Sequence, residues 1–465
     1  MRRILALVFL LSVIAWGQGS STSSDDACRK DSPKEVDKLK CTCGKFKIPG
    51  CAQELFTGEP IHIAVGSIAP QNGFGAGLAY VGHKNTDNWR DSWNADAIGS
   101  INGSWRAGIY AKFVPSAGKK IGIHKGTKNF KPNLGDLPEH PVISLYAQAI
   151  SLNKLAYFGL GPATTPAGRA YYGMRETIVG GSIFKPINER WKVSLYGELN
   201  GRFVALRPSL GQPSPTIGAL YTEATAPGLT TQPGTFQLGE GIRMTPVRFN
   251  DHLRLNYSAM YQQYIAGSNF SFQRLTFDLG HQFAIYKTTR IFVPRESNGP
   301  DQCALDSSDK RGSPCPEAFS RNLEGSFGFR VYNVLSFTPG GDIVPFYFQP
   351  TFGGSDINGN PWLPSYQDYR FRAPNLLLFR ENFEHSIGKW PIGFTVMGDE
   401  GKVALTRGGL SSAPWLSSFS AGLTLRAGGF PMVYLLYSRG NAEGGHWIAN
   451  VNTSLLGGSS RPSLF

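Results

Sequence analysis

The stretch Trp191-Lys-Val-Ser-Leu-Tyr-Gly-Glu-Leu-Asn-Gly-Arg202 changes character at every residue. Apolar residues and glycines occupy every second position, and Lys, Ser, Tyr, Glu, Asn and Arg occupy the positions between them. A β-strand is the only regular element that puts two such sets on opposite faces. The stretch therefore predicts a strand with one apolar face and one polar face.

The same alternation recurs along most of the chain beyond Ile61, with Gly, Pro, Asn and Ser turns between the segments. It is clear in 105–113, 274–285, 323–332 and 419–426. Many alternating segments of about ten residues are typical of a transmembrane β-barrel, with lipid outside and a polar interior. We expect an all-β fold, an antiparallel outer-membrane barrel of about 14 to 18 strands, with 16 as the expected number and with long extracellular loops. The long polar stretches are 83–91, 115–139, 208–235, 294–320 and 353–368, and most of them are expected at the surface or folded into the mouth of the barrel.

A soluble secreted sandwich or propeller would also alternate and would also need turns. Two features favour the membrane. Tryptophans lie at strand ends, where an interfacial girdle would need them, namely Trp93, Trp191, Trp390, Trp415 and Trp447. Charged residues lie well inside the strands, which a packed sandwich core would not accept unpaired but a wet interior would.

Composition excludes other classes of protein. Charged residues make up 17% of the 465 residues, below the roughly 25% of soluble domains, while aromatics make up 12%. Such a chain is too aromatic to be disordered. It contains no apolar run of about 20 residues, so it is not a helical membrane protein. The net charge of +13 could indicate a nucleic-acid partner, but export argues against one. We expect the basic residues on the strand faces to give a positive lumen or to attract lipopolysaccharide at the rim.

The first residues predict export. Arg2 and Arg3 precede an apolar run, Ile4 to Trp16, and small residues flank Trp16. Residues 1–17 are therefore interpreted as a cleaved signal peptide, because the run is too short for a membrane anchor. We expect a periplasmic extension or plug over 18–57, the barrel over 58–456 and a C-terminal tail over 457–465.

Six cysteines form two groups, Cys28, Cys41, Cys43 and Cys51 near the N-terminus, and Cys303 with Cys315. In an oxidising compartment an even number of cysteines predicts disulfides. The second pair is expected to staple an exposed loop. A zinc site is the alternative for the first four, although Cys41-Thr-Cys43 lacks the usual two-residue gap. The order of pairing among the four stays open.

A family resemblance lies in the C-terminal half of the chain. Its segments occur in a fixed order: Phe352–Ser355, Leu363–Tyr366, Tyr369–Arg372, Asn375–Leu378 and Met397–Val403. With the earlier Tyr157–Gly161 and Tyr171-Tyr172, this order resembles the C-terminal barrel of the bacterial surface antigen family. That family includes the BamA and TamA assembly proteins and two-partner secretion transporters. The resemblance covers the chain from about residue 140 to about 456.

The resemblance implies a 16-stranded outer-membrane barrel whose sixth extracellular loop folds back into the lumen. In the family an Arg-Gly-Phe/Tyr loop tip meets an Asp on a barrel strand. Asp399, followed by Gly401, matches the strand position, but Pro364 and Ser365 stand where the Arg and Gly would be, which leaves Tyr366 as the aromatic. We expect Arg370 or Arg372 to pair with Asp399, because a lumen carboxylate is best satisfied by a bidentate guanidinium. The alternative is that Asp399 caps a turn or faces water.

Family members usually carry periplasmic modules ahead of the barrel, and residues 18–57 are too few for one. We therefore interpret this segment as a short disulfide-tied cap or plug, which makes catalysed insertion of other proteins less expected. Gly73-Phe-Gly-Ala-Gly77 superficially resembles a phosphate-binding loop, but strand glycines explain it better.

The sequence contains no His-x-x-x-His pair and no Gly-x-Ser-x-Gly elbow. We therefore expect no enzymatic activity, no cofactor and no catalytic or metal site. Three functions remain open: assembly or translocation at the outer membrane, a passive or anion-selective pore, and a structural or adhesive surface barrel. The expected partners are outer-membrane lipid and lipopolysaccharide, and client proteins or periplasmic factors, with the protein itself a monomer.

Overall fold

A computed structural model describes most of the chain between residues 60 and 451. The described residues are 60–86, 88–115, 140–211, 215–249, 251–292, 317–388, 390–427, 430–440, 443–451 and 462. The interpretations of residues 1–17 as a signal peptide and of 18–57 as a cap, and those of all six cysteines, fall outside these residues.

The described residues form sixteen antiparallel strands, β1 to β16. In chain order they are Ile61–Ser67, Phe74–Asn85, Trp89–Ser100, Trp105–Pro115, Val142–Tyr157, Ala170–Asn188, Val193–Pro208, Thr235–Met244 continued by Val247–Arg248, Leu253–Ala266, Phe272–Phe292, Glu317–Phe337, Asn375–Ser386, Ile392–Ala404, Leu416–Ala427, Phe430–Gly440 and Gly445–Val451.

Each strand pairs antiparallel with the next one along the chain. The two segments of β8, Thr235–Met244 and Val247–Arg248, both pair with β9 and form one interrupted strand. The seventeen segments of the sheet are therefore sixteen strands. Because consecutive strands are neighbours throughout, the chain runs up and down, and the prediction of 16 strands is confirmed.

The two faces of each strand meet different surroundings. In β7, Leu199 and Phe203 are exposed, whereas Asn200 and Arg202 are each only 1% exposed. The apolar face therefore points outwards and the polar face inwards, the reverse of a soluble protein. This is the arrangement of a barrel in lipid, and the predicted transmembrane all-β fold is confirmed.

Residues 338–374, the connection between β11 and β12, bring the first and last strands of the sheet together. The Tyr369 hydroxyl donates to the Pro70 carbonyl, 2.8 Å away, in the β1–β2 connection. The carboxylate of Asp368 accepts a hydrogen bond from Gln71 and lies close to His446 of β16. One segment thus contacts both ends of the strand order, so the sheet curls around it. The molecule is a sixteen-stranded β-barrel.

The connections lie alternately at two ends of the barrel. The end that carries 68–73, 158–169, 209–234 and 338–374 is called the loop end, and the opposite end the turn end. The predicted surface loops 208–235 and 353–368 belong to the loop end. Most of the other two long predicted loops, 115–139 and 294–320, lies outside the described residues.

Two segments differ from what the sequence predicts, which is a strand over Phe346–Phe352 and a polar loop over His83–Asp91. Phe346–Phe352 contains a 3₁₀ helix, Phe346–Phe348, followed by Thr351–Phe352, which pairs only with Phe371–Arg372. All three residues of the helix are buried, so the segment does not alternate as a barrel strand does. His83–Asp91 is not a loop but the tip of the β2–β3 hairpin.

Helices are short. Besides Phe346–Phe348, the described residues form the 3₁₀ turn Pro166–Gly168 and the single α-turns Ile217–Leu220 and Gly409–Ser412. Within the described part of the chain, no helix has the length and apolarity needed to cross a membrane.

Candidate functional site

The connection 338–374, here called the lumen loop, folds into the barrel. It is the sixth connection at the loop end, counted from β1. Most of its side chains between Val344 and Ala373 are buried, which an exposed loop would not achieve. Two zones hold it, one at its beginning and one at its tip.

The first zone, here called the aromatic anchor, lies at the beginning of the lumen loop. Phe346 packs edge-on against Tyr157 and Tyr172, with ring centroids 5.0 Å and 5.3 Å apart. Phe348 packs against Tyr264 of β9 at 5.5 Å. All these rings are less than 2% exposed, and full burial of each is worth roughly 1.5–3 kcal/mol. The anchor is therefore a small dry core inside the barrel.

Arginines complete the hydrogen bonds of the aromatic anchor. The Arg372 guanidinium donates to the Phe346 carbonyl at 2.7 Å and to the Tyr172 hydroxyl at 3.3 Å. Arg274 of β10 donates to the Phe348 carbonyl. Buried carbonyl oxygens need such donors, because an unsatisfied polar group costs about 1–3 kcal/mol.

The second zone, here called the tip lock, centres on Asp399 of β13, which is 2% exposed. Arg380 of β12 donates to both carboxylate oxygens, with Nε and Nη2 each 2.6 Å away. The backbone N–H of Leu363, in the lumen loop, donates to the same carboxylate at 2.9 Å. A bidentate guanidinium and a backbone N–H are strong, directional partners, so Asp399 binds the tip of the loop to the barrel wall.

The side chain of Trp362, the residue before Leu363, packs against the wall residues of the tip lock. Its ring stacks on Tyr332 of β11 at 5.3 Å. The guanidinium carbons of Arg330 and Arg380 lie 4.9 Å and 4.8 Å from its centroid. Cation–π contacts in a desolvated site are worth about 2 kcal/mol or more. The loop tip thus presents an aromatic ring to two wall arginines, instead of an arginine to the wall.

Asp356 shapes the loop just before the tip. Its carboxylate accepts hydrogen bonds from the backbone N–H groups of Asn358 and Asn360 and, at 3.1 Å, from Trp362 Nε1. Burial raises the pKa of Asp356, and these hydrogen bonds, foremost those of Asn360, oppose the rise. The turn is therefore built around a buried carboxylate that orients the tryptophan.

The expectation that Arg370 or Arg372 pairs with Asp399 is wrong. Arg370 forms an ion pair with Glu443 in the β15–β16 connection and donates to Thr164 Oγ1 at 2.6 Å. Arg372 lies in the aromatic anchor. Both guanidinium groups therefore have their partners away from Asp399. The alternative that Asp399 caps a turn or faces water is also wrong, since the carboxylate is buried.

The other two predicted site residues lie beside the tip. Tyr366 is 4% exposed and packs edge-on against Phe371 at 5.1 Å. Gly401, two residues after Asp399, lies under the ring of Phe352, and a Cβ there would be 3.1 Å from that ring. Glycine at 401 therefore makes room for the lumen loop against β13.

Sequence reasoning missed Arg380, Arg330 and Trp362. A usable signal existed for Arg380, because it and Asp399 are equidistant from the short turn between β12 and β13 and pair directly in the register. A hairpin drawn from that turn would have placed the two together. No comparable local signal links Trp362 to Arg330, which the fold alone brings together.

The inward face of the wall is buried near the lumen loop and more exposed towards the turn end. Along the inward face of β6, Met174, Glu176 and Ile178 are buried, whereas Ser182 and Phe184 are partly exposed. Glu176 forms an ion pair with Arg202 of β7 at 2.9 Å. Among the described residues, no group of three or more His, Cys, Asp or Glu side chains is arranged to hold a metal ion.

Comparison with known proteins gives similarity at the level of structure only. No protein-family model and no curated protein sequence matches the chain. Three of the similar solved structures are described. BamA from Haemophilus ducreyi lacking POTRA domains 1–3 has a TM-score of 0.46 at 10% identity, over 84% of this chain and 69% of that one.

The other two are CdiB proteins. CdiB from Acinetobacter baumannii has a TM-score of 0.42 at 12% identity, over 81% of this chain and 55% of that one. CdiB from Escherichia coli has a TM-score of 0.47 at 11% identity, over 84% of this chain and 61% of that one. The chain thus spans less than two thirds of either CdiB.

Proposed function

We propose that this protein is an exported outer-membrane barrel of the bacterial surface antigen type, which assembles proteins in that membrane or translocates them across it. The observation that carries the proposal is the lumen loop, which closes the barrel at the loop end and is held at Asp399. A closed barrel passes nothing until the loop moves, so the lumen loop is the moving part in this proposal.

The pore and surface-barrel alternatives fit the lumen loop less well. A passive pore needs an open path, whereas the aromatic anchor fills the lumen with rings less than 2% exposed. A purely structural barrel would not require a loop tip whose backbone N–H, that of Leu363, donates to a buried and already paired wall carboxylate. Neither alternative accounts for both zones.

The proposed function includes the location of the protein in the cell and its partners. The chain is exported by residues 1–17 and acts as a monomer without enzymatic chemistry. It contacts outer-membrane lipid and lipopolysaccharide on its outside and client proteins or periplasmic factors from its periplasmic side. The cysteines form disulfides. The apolar run Ile4 to Trp16 supports export, the even number of cysteines supports disulfides, and the resemblance of residues 352–403 to the family's loop and strand supports the outer-membrane role.

The proposal is tested by tethering the lumen loop. The backbone N–H of Ser365, in the loop, donates to Ser418 Oγ of β14 at 3.0 Å, so these two residues are the positions for a loop-to-wall disulfide, made by Ser365→Cys with Ser418→Cys. A matched control joins two wall strands instead, because the Ser420 and Ser438 hydroxyls lie 2.7 Å apart. The pair Ser420→Cys with Ser438→Cys leaves the loop free.

Both double variants are expressed in a strain depleted of the native protein, and the abundance of the other outer-membrane barrels and of exported proteins is measured. We expect the loop tether to abolish rescue until a reductant is added, and the wall tether to rescue fully. If the oxidised loop-tethered variant rescued the strain, loop movement would not be needed for the function, and this part of the proposal would be wrong. Normal levels of all these proteins in the depleted strain would overturn assembly or translocation as the function.

A further inference from the structure

A cluster of four basic side chains, here called the basic rim, lies at the loop end of β5, β6 and β7. Its members are Lys154, Arg169, Arg175 and Arg207. Arg169 and Arg175 are exposed, and the other two are partly exposed. Like charges on adjacent strands repel one another, so their convergence requires an explanation beyond the strand pairing.

The pairing register places the basic rim on the outside of the barrel. Leu155 pairs with Tyr172, and both are buried inside the barrel. Because side chains alternate along a strand, Lys154 on β5 and Arg175 on β6 point the other way. Arg207 pairs with Gly173 and shares this outer face.

The four side chains converge over the surface of β6. Lys154 Nζ and Arg169 Cζ lie 5.0 Å and 5.5 Å from the centroid of the Tyr171 ring. Arg207 crosses β6 above Gly173, where a Cβ would lie 3.0 Å from its side chain, and donates to Ser151 Oγ of β5 at 2.8 Å. Glycine at 173 therefore lets the guanidinium reach across a whole strand.

Arg207 and Arg175 keep unused hydrogen-bonding capacity. The Arg207 Nε is buried without a hydrogen-bond partner. Arg175 lies close enough for its charge to act on Arg207. No ion pair among the described residues neutralises any of the four basic side chains. The basic rim is thus a concentration of positive charge that retains N–H groups without hydrogen-bond acceptors.

The position of the basic rim indicates what neutralises it. Towards the turn end, the same outer face of β6 and β7 carries the exposed apolar side chains Val179, Leu199 and Phe203. Apolar side chains in this band face lipid tails, so charges next to the band lie at the level of lipid head groups. Arginine and lysine side chains at that level attract anionic head groups.

We infer that the basic rim binds the phosphate groups of an anionic membrane lipid, with Arg175 and Arg207 as its principal ligands. Guanidinium groups match phosphate geometry through two parallel N–H donors, and Lys154 and Arg169 add charge from the other side of Tyr171. The inference rests on the proposed outer-membrane placement, but it requires no particular activity of the lumen loop.

The test uses the full-length protein in phosphatidylcholine nanodiscs, with native mass spectrometry to measure bound lipid A. Arg175→Gln with Arg207→Gln is compared with Arg439→Gln, which removes an exposed outward charge at the loop end of β15. Each basic residue near a head group contributes about 1 kcal/mol, so we expect the double variant to bind lipid A about thirtyfold more weakly. Arg439→Gln should bind like wild type.

Three further measurements make the result decisive. Arg175→Lys with Arg207→Lys should retain most of the binding, since it keeps the charge. Dephosphorylated lipid A should bind wild type as weakly as lipid A binds the double glutamine variant. Unchanged affinity of that variant would overturn the inference, and so would displacement of lipid A by equimolar inorganic phosphate, which would indicate a site for free phosphate.

Folding is checked separately, by the shift in gel mobility between boiled and unboiled samples. A folded double variant that has lost lipid A contradicts nothing in the proposed loop movement. If the wild-type protein showed no mobility shift, the result would instead contradict the membrane barrel itself, and with it the proposed function.

Discussion

The aromatic anchor and the tip lock hold the same loop by different physics. At the anchor, Phe346 and Phe348 bury apolar rings among wall tyrosines, and arginines serve only the backbone carbonyls. At the tip, one carboxylate, Asp399, joins a wall arginine and a loop backbone N–H. Burial of rings is non-directional, whereas the carboxylate contact depends on angle and charge.

This difference gives the two zones different tolerances. An apolar cluster accepts a change of side-chain shape at a modest free-energy cost. Removing one partner of a buried ion pair lowers the free energy of unfolding by several kcal/mol, because the other charge is left unpaired. The tip is therefore the zone that a single event can release, and the anchor is the zone about which the loop would turn.

The largest effect is expected for Asp399→Asn. The change leaves Arg380 buried without its charged partner, so the free energy of unfolding should fall by about 3–5 kcal/mol. The measurement is the urea concentration at which the folded, fast-migrating gel band is lost. Glu400→Gln is the matched control, because Glu400 is the next residue but faces outwards and is exposed, and its effect should stay within about 0.5 kcal/mol.

A smaller effect is expected at the anchor. Phe346→Leu keeps an apolar side chain in the cluster, so the loss should be about 1–1.5 kcal/mol, and the tip should stay protected from protease. Ile343→Leu, in the same loop but 49% exposed, serves as the control. A loss at Phe346 equal to that at Asp399 would remove the contrast between the two zones.

The smallest effect is expected for the pH dependence of lumen-loop docking. Burial raises the pKa of Asp368, and hydrogen bonds from Ser355 and Gln71 and the charge of His446 oppose the rise. A carboxyl with a raised pKa binds its proton more readily in the docked loop than in a free one. Its contribution to docking is therefore greatest below the ordinary pKa of aspartic acid and is lost as pH rises through the raised value.

The check is the rate of protease cleavage within residues 338–374 of the folded barrel, corrected for protease activity at each pH. We expect cleavage to become faster between about pH 4 and neutrality, and Asp368→Asn to flatten this rise. Faster cleavage at the acidic end would contradict the assigned direction.

The sequence predicted the wall far better than the loop. Alternation such as that of Trp191–Arg202 identifies strands because each strand meets lipid on one side and a polar interior on the other. The partners of Asp399 could not be chosen by closeness along the chain, because Arg370 lies nearer in sequence to the tip but points away from it. Arg380 reaches Asp399 only through the hairpin register.

Two other features lay beyond the alternation. The aromatic run at Phe346–Phe348 predicts a strand, since strands favour the same residues. All three of its rings are buried, whereas a barrel strand would expose every second side chain to lipid. The basic rim is assembled from three strands, and only their relative register brings Lys154, Arg175 and Arg207 to one surface.

The central claim is that the lumen loop closes the barrel and that Asp399 holds it closed. Conductance of the purified protein in planar lipid bilayers tests this most directly, with wild type, Asp399→Asn and Glu400→Gln measured side by side. We predict that wild type and Glu400→Gln show no sustained open-channel current, and that Asp399→Asn shows repeated openings. Sustained conductance by wild type, or an Asp399→Asn protein that folds and stays closed, would contradict the claim.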